Sequence, residues 1–215
     1  FFMGFGAVLL GNSIHRVKPG QGNRIVTTID QTRWRDRITY NVINANGNGG
    51  GSAATTIPFS TSAGCTSTIT VPPGMIGWLH QAQVGYIVRN PPQARSAVQI
   101  ELNCGYRDVA ATDSSAKSSR SWGEKRRWVS GGPYENSDYI MLAVIDHGAN
   151  PRNASYQYAV VPGTTAVQTA SLARTLFRPS SGIRILRNDG RVQAVADVRE
   201  GGPSASSVQA AFYRP

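Results

Sequence analysis

Ile140-Met141-Leu142-Ala143-Val144-Ile145 is apolar at every position, and Tyr156-Gln157-Tyr158-Ala159-Val160 follows it after a polar break. The first run is expected to be a strand with both faces covered, because a half-exposed strand alternates apolar and polar residues. The second run alternates in part and is rich in β formers, which suits a sheet with one wetter face. Two such strands joined by a short connection containing Gly148 and Pro151 point to an all-β fold.

The same texture extends in both directions. Short apolar or alternating runs recur between Gly, Pro, Asn and Ser, and helical periodicity is scarce. Strands are expected near residues 1–10, 24–30, 37–43, 67–71, 76–80, 84–89, 97–103, 139–146, 156–161, 183–187, 192–198 and 208–213. One short helix is expected near 166–174. Pro72-Pro73-Gly74 marks a tight turn. Residues 44–52, rich in Asn and Gly, and the Ser-rich residues 113–121 read as loops, and Gly201-Gly202-Pro203 precedes the last strand. No fixed-period repeat is present, which argues against a propeller or solenoid. No linker separates two halves, so residues 1–215 are expected to form a single domain, a large antiparallel β-sandwich with many strands.

The chain has 215 residues, with 22 Lys and Arg against 12 Asp and Glu, a formal net charge of +10. That length buries a real core, and that charge attracts polyanions: nucleic acid, anionic lipid or acidic polysaccharide. No apolar run is long enough to span a bilayer, so no membrane partner is expected. Residues 1–10 are apolar but have no basic residues before them and no small-residue cleavage site after them, so they do not read as a signal peptide. The strand-like opening without Met reads as a piece of a longer chain or as a mature N-terminus. Cys65 and Cys104 stand without any CxxC pair, which speaks against a cysteine zinc site. A disulfide in an oxidising compartment and two separate, partly buried thiols both fit. Asn153-Ala154-Ser155 matches the N-glycosylation pattern, a short pattern that often arises by accident.

Motifs with chemical content are few. The glycines at 47–51 are followed by Ser52-Ala53-Ala54 rather than the Lys-Ser/Thr of a phosphate-binding loop, so they read as a surface turn. Lys125-Arg126-Arg127 lies between Trp122 and Trp128. Such a mixture reads first as a solvated loop, second as an acidic-glycan contact through guanidinium groups and indole faces, and only third as a nucleic-acid contact. His15, His80 and His147 form no metal-ligand spacing. Asp146-His147 places a carboxylate beside an imidazole, an arrangement that can orient a base. Adjacent residues in a strand point to opposite faces, however, and a His bonding a turn backbone is the plainer reading. No Gly-x-Ser-x-Gly elbow is present. The acidic residues include Asp30, Asp36, Glu101, Asp146 and Asp189; most sit in loops beside basic residues, where ion pairs are expected, and no two stand out as acid and nucleophile.

Several stretches, in order, resemble the β-sandwich region of the polysaccharide lyase family that contains hyaluronate, chondroitin AC and xanthan lyases. They are residues 1–14 with their aromatic start and Leu10-Gly11-Asn12-Ser13-Ile14 end; Val26-Thr27-Thr28-Ile29-Asp30-Gln31; Trp78-Leu79-His80 with Val84-Gly85-Tyr86; Ile145-Asp146-His147-Gly148, Pro151, Asn153-Ala154-Ser155-Tyr156-Gln157-Tyr158 and Pro162-Gly163; and Ile185-Leu186-Arg187-Asn188-Asp189 with Gln193-Ala194-Val195. Gly4-Phe5-Gly6 departs from the family, which has acidic residues there.

The resemblance implies a supersandwich-like fold in a secreted enzyme that cleaves uronic-acid polysaccharides by β-elimination. In that reaction an Asn neutralises the uronate carboxylate and so stabilises the enolate-like charge, while Tyr or His moves the proton. In the family these groups lie in an N-terminal helical toroid and in the segment just before the sandwich strands. None of them has a counterpart in this sequence, so no catalytic, cofactor-binding or metal-ligating residue is assigned, and no cofactor is expected. The partners implied are an acidic polysaccharide of hyaluronan, chondroitin or xanthan type and the helical toroid domain; nucleic acid is not expected as one. A stand-alone acidic-glycan-binding module without catalysis is the alternative.

Overall fold

The computed structural model describes residues 1–16, 24–44, 53–107, 138–178, 182–198 and 207–213. The glycines at 47–51, the Ser-rich residues 113–121, the basic and aromatic residues 122–128 and Gly201-Gly202-Pro203 lie outside them. Among the described residues the strands, in chain order, are β1 Phe2–Met3, β2 Gly6–Ile14, β3 Val26–Arg33, β4 Ile38–Asn44, β5 Thr55–Ile57, β6 Cys65–Val71, β7 Met75–Gln81, β8 Val84–Arg89, β9 Val98–Arg107, β10 Asp138–Asp146, β11 Ala154–Pro162, β12 Ile183–Asn188, β13 Val192–Asp197 and β14 Ser207–Phe212. A helix, α1, spans Ala166–Thr175. No helix among the described residues is long and apolar enough to cross a membrane.

The strands form three sheets, every pairing antiparallel: a seven-stranded sheet in the order β1-β2-β11-β8-β7-β4-β5, a four-stranded sheet β3-β10-β9-β6, and a three-stranded sheet β12-β13-β14. The seven-stranded sheet is the middle layer. Strand alternation sends Leu79, Tyr86, Val88 and Tyr158 into a core shared with Ile29, Ile69, Ile100, Leu102, Met141 and Ile145 of the four-stranded sheet. The alternate positions Val8, Ile76, Trp78, Ile87, Ala159 and Val161 enter a second core with Ala173, Leu176 and Phe177 at the helix and with Ile183 and Val195 of the third sheet.

This layering exchanges the two roles read from the opening stretches. In β10, Met141, Ala143 and Ile145 enter the core, whereas Ile140 and Leu142 are half-buried, so one face of that apolar run is only partly covered. In β11, Gln157, Tyr158 and Ala159 are consecutively buried, because β11 lies between β2 and β8 in the middle layer, with a core on each side.

Other differences are local. Residues 1–10 are two strands, not one: the chain reverses after Met3, and Gly6 takes φ 151°, where a Cβ would meet the Val160 carbonyl oxygen at 2.0 Å. The short β5 carries no periodic signal. Pro72-Pro73-Gly74 makes the expected turn, with Met75 N–H donating to the Pro72 carbonyl at 3.1 Å. The helix falls where expected, started by Thr165, whose hydroxyl accepts from Gln168 N–H while the Gln168 side chain accepts from Thr165 N–H.

Cys65 and Cys104 face each other across β6 and β9 and are joined as a disulfide, with their Cα atoms 4.7 Å apart.

Candidate functional site

A polar seam runs between β3, the edge strand of the four-stranded sheet, and the middle layer. Its first element is a bulge. Ala143 pairs with Asp30 and Val144 with Thr28, leaving Ile29 unpaired between them. An extra residue of this kind re-aims its neighbours. Ile29 enters the core while the adjacent Asp30 carboxylate accepts the Tyr86 hydroxyl from β8.

On β11, residues two apart share a face, so Tyr156 and Tyr158 lie side by side with ring centroids 5.7 Å apart. The His147 ring stands 6.3 Å from Tyr156, and its Nε2 is 2.8 Å from the Thr27 hydroxyl. Four stretches that carry the family resemblance therefore meet here: Thr27 with Asp30, Tyr86, His147, and Tyr156 with Tyr158.

Burial dominates the electrostatics of the tyrosines and the histidine in this seam. Burial, reinforced by the Asp30 carboxylate, pushes the Tyr86 hydroxyl far above the usual tyrosine range. Burial, with Tyr156 and Asp30 adding to it, pushes Tyr158 up to about 12. Tyr156 is raised by burial and then by the nearby Tyr213 hydroxyl. Burial lowers His147, with Asp146 opposing it weakly, so the imidazole is neutral at pH 7. Three tyrosines that keep their protons, of which Tyr86 donates to Asp30, line this seam with one imidazole beside the Thr27 hydroxyl.

Beside the seam, Ile29, Asp30, Thr32, Gln81, Ala82, Val84, Tyr86, Val160 and Pro162 line an open cleft of about 340 Å³. Its rim includes the β7–β8 turn, where Ala82 and Gln83 both have positive φ, 47° and 67°. That is the twist of a tight two-residue hairpin made without the usual Asn or Gly.

The residues weighed in the sequence separate. Asp146 and His147 face different partners. The Asp146 carboxylate accepts from Gly148 N–H at 2.8 Å and from Arg24 Nη1 at 2.9 Å, whereas the His147 ring turns to Thr27. Arg24 also clamps Glu101, with Nη2 donating at 2.8 Å. His147 bonds a side chain on β3 rather than a turn backbone. It is the buried His80 whose Nε2 meets a backbone carbonyl, that of Thr164, at 2.7 Å. His15 is exposed and bonds the Ser13 carbonyl. Asp36 and Asp189 make exposed pairs with Arg37 and Arg187. Among the described residues no three His, Cys, Asp or Glu side chains gather as metal ligands. Lys125-Arg126-Arg127, with Trp122 and Trp128, lies outside the described residues.

Asp30 with Tyr86 is the pair that the sequence reading missed. A signal existed: Asp30 directly follows the run Val26-Thr27-Thr28-Ile29, whose β-branched residues mark a strand rather than a loop.

A family model described as polysaccharide lyase family 8, super-sandwich domain, matches residues 1–173. No curated protein sequence matches the chain. A solved chondroitinase AC lyase, studied in enzyme–oligosaccharide complexes and by mutagenesis, shares the fold with a TM-score of 0.54 at 19% identity, over 92% of this chain and 23% of that one. A Paenibacillus xanthan lyase gives a TM-score of 0.46 at 25% identity, over 88% of this chain and 15% of that one. The chain thus spans less than a quarter of the length of either protein.

Proposed function

The chain belongs to polysaccharide lyase family 8, as a super-sandwich domain, and from that membership we propose that it is the sandwich portion of a secreted lyase that cleaves uronic-acid polysaccharides by β-elimination. Its role is to brace a helical catalytic domain and form one wall of that domain's cleft. The observation that carries the reading is the family match over residues 1–173. The seam supports it: in the motifs that mark the family, Asp30 and Tyr86 join the two sheets, and Thr27 ties β3 to His147 at the end of β10. A proton-transferring pair is left to the helical partner. The Cys65–Cys104 disulfide supports secretion.

The test is an ultraviolet assay for unsaturated uronate on hyaluronan, chondroitin and xanthan. The isolated chain is expected to give flat absorbance, and co-expression with a helical lyase portion is expected to make it rise. Measurable turnover by the chain alone would sink this reading.

The net charge of +10 favours a second reading, an acidic-glycan-binding module that works without catalysis. It requires salt-sensitive retention of the isolated chain on a uronic-acid polymer. Free passage through such a column at low salt would eliminate it.

A further inference from the structure

Asn153-Ala154-Ser155 is the one Asn-x-Ser/Thr triplet in the sequence, and its middle residue is not proline. The triplet opens β11, at the end of the connection from β10. Asn153 is exposed with φ 58°, a left-handed conformation that Asn tolerates better than most residues. Its carboxamide makes no hydrogen bond among the described residues. Ser155 is also exposed and falls where the register of β11 against β2 shifts, between Ala154 and Tyr156. Acceptor amide and hydroxyl thus both face solvent at a turn, and a bulky group on Asn153 displaces no core side chain. The disulfide between Cys65 and Cys104 independently fits the oxidising compartment in which such triplets are modified.

We propose that Asn153 is an N-glycosylation acceptor. The donor is an oligosaccharide carried on a lipid diphosphate. The Asn153 Nδ2 forms a bond to the anomeric carbon, and the bond from that carbon to the diphosphate oxygen breaks. The lipid diphosphate leaves with the bonding electrons, and one amide proton passes to a base of the transferase.

The site lies away from the Tyr86–Asp30 pair and is independent of any lyase activity; it shares only the secretory route with the proposed function. The experiment is secretion of the full chain from a eukaryotic host, followed by intact mass before and after peptide N-glycosidase. The expected result is a glycan mass that the enzyme removes, converting Asn153 to Asp, and that is absent from Ser155→Ala and Asn153→Asp. Both variants keep a residue at 153 that accepts the left-handed turn, so both are expected to fold and be secreted. Secreted wild-type chain of unmodified mass would overturn the proposal, and so would a glycan that persists in Ser155→Ala. Flat absorbance in the uronate assay has no bearing on either outcome.

Discussion

At the scale of single residues, the Asp30–Tyr86 pair and its aromatic neighbours set how the fold responds to pH. Tyr86→Phe leaves a half-buried carboxylate without its hydroxyl donor, and the expected loss is about 1–3 kcal/mol in denaturant unfolding. Tyr158 keeps its proton in the fold up to about 12, whereas in the unfolded chain a tyrosine ionises at about pH 10. Above that pH the unfolded state binds fewer protons than the native one, so stability falls as pH rises. The contribution is complete below about pH 10 and is lost as pH climbs through the folded value. Tyr158→Phe should therefore flatten the alkaline limb of a stability–pH curve; an unchanged slope would count against the buried hydroxyl as its source. His147 has the opposite sign. Burial depresses it, so its contribution is present above about pH 6.5 and is lost as pH falls below that value, where the unfolded chain takes up the proton first. His147→Gln should flatten the acid limb. The identity of these residues was legible in the sequence, since each lies in a stretch that marks the family. Their partnership was not, because Asp30 and Tyr86 are joined only through a bulge that changes which face Asp30 addresses.

At the scale of elements, helix α1 rests on the middle sheet at a point where the strand has no side chain. A Cβ on Gly85 would meet Thr169 Oγ1 at 2.4 Å and Cγ2 at 2.7 Å. Thr169 cannot simply rotate away, because its hydroxyl donates to the Thr165 carbonyl at 2.9 Å and its side chain is fully buried. Gly85→Ala should therefore cost about 1–3 kcal/mol through overpacking. Adding Thr169→Ala should return part of that loss, and a thermal-denaturation double-mutant cycle reads the coupling. Purely additive losses would mean that the helix does not seat on this glycine. The helix itself was readable, because a Thr-x-x-Gln start before an apolar-periodic stretch is a local device. The strands of the middle layer were harder. Met75-Ile76-Gly77-Trp78-Leu79-His80-Gln81 is buried from Ile76 to Gln81, yet it contains Gly, His and Gln. His80 and Gln81 lie buried with the Nε2 of each at a backbone carbonyl, those of Thr164 and Arg33, while Gln81 Oε1 has no partner among the described residues. A strand whose polar residues bond to neighbours distant in sequence carries no continuous apolar signature. The more uniformly apolar β10 stands in an outer sheet.

At the scale of the whole molecule, the sequence announced an antiparallel sandwich but not its third layer. Alternation tells which residues share a face; it does not tell which sheet covers that face, and the strands that pair here are often far apart in the chain, as β2 is from β11. The two cysteines show the same limit. Spacing left them open, and only the pairing of β6 with β9 brings them opposite one another. That pairing also determines what the bond does. It links strands within one sheet and closes a loop with a sequence separation of 39, which includes β7 and β8 of the middle layer. In the unfolded chain, tethering a loop of this length removes conformational freedom equivalent to about 4 kcal/mol. The bond thus ties an edge of the outer sheet to the formation of the central one, since the hairpin of β7 and β8 must fold inside the tether. The Cys65→Ser, Cys104→Ser double variant is expected to unfold at lower denaturant concentration by an amount near that figure. Its acid and alkaline limbs should stay unchanged, because neither cysteine lies in the seam. A loss well below about 1 kcal/mol would mean that the unfolded chain already keeps β6 near β9; altered pH limbs would mean that the sheet edge and the seam fold as one unit.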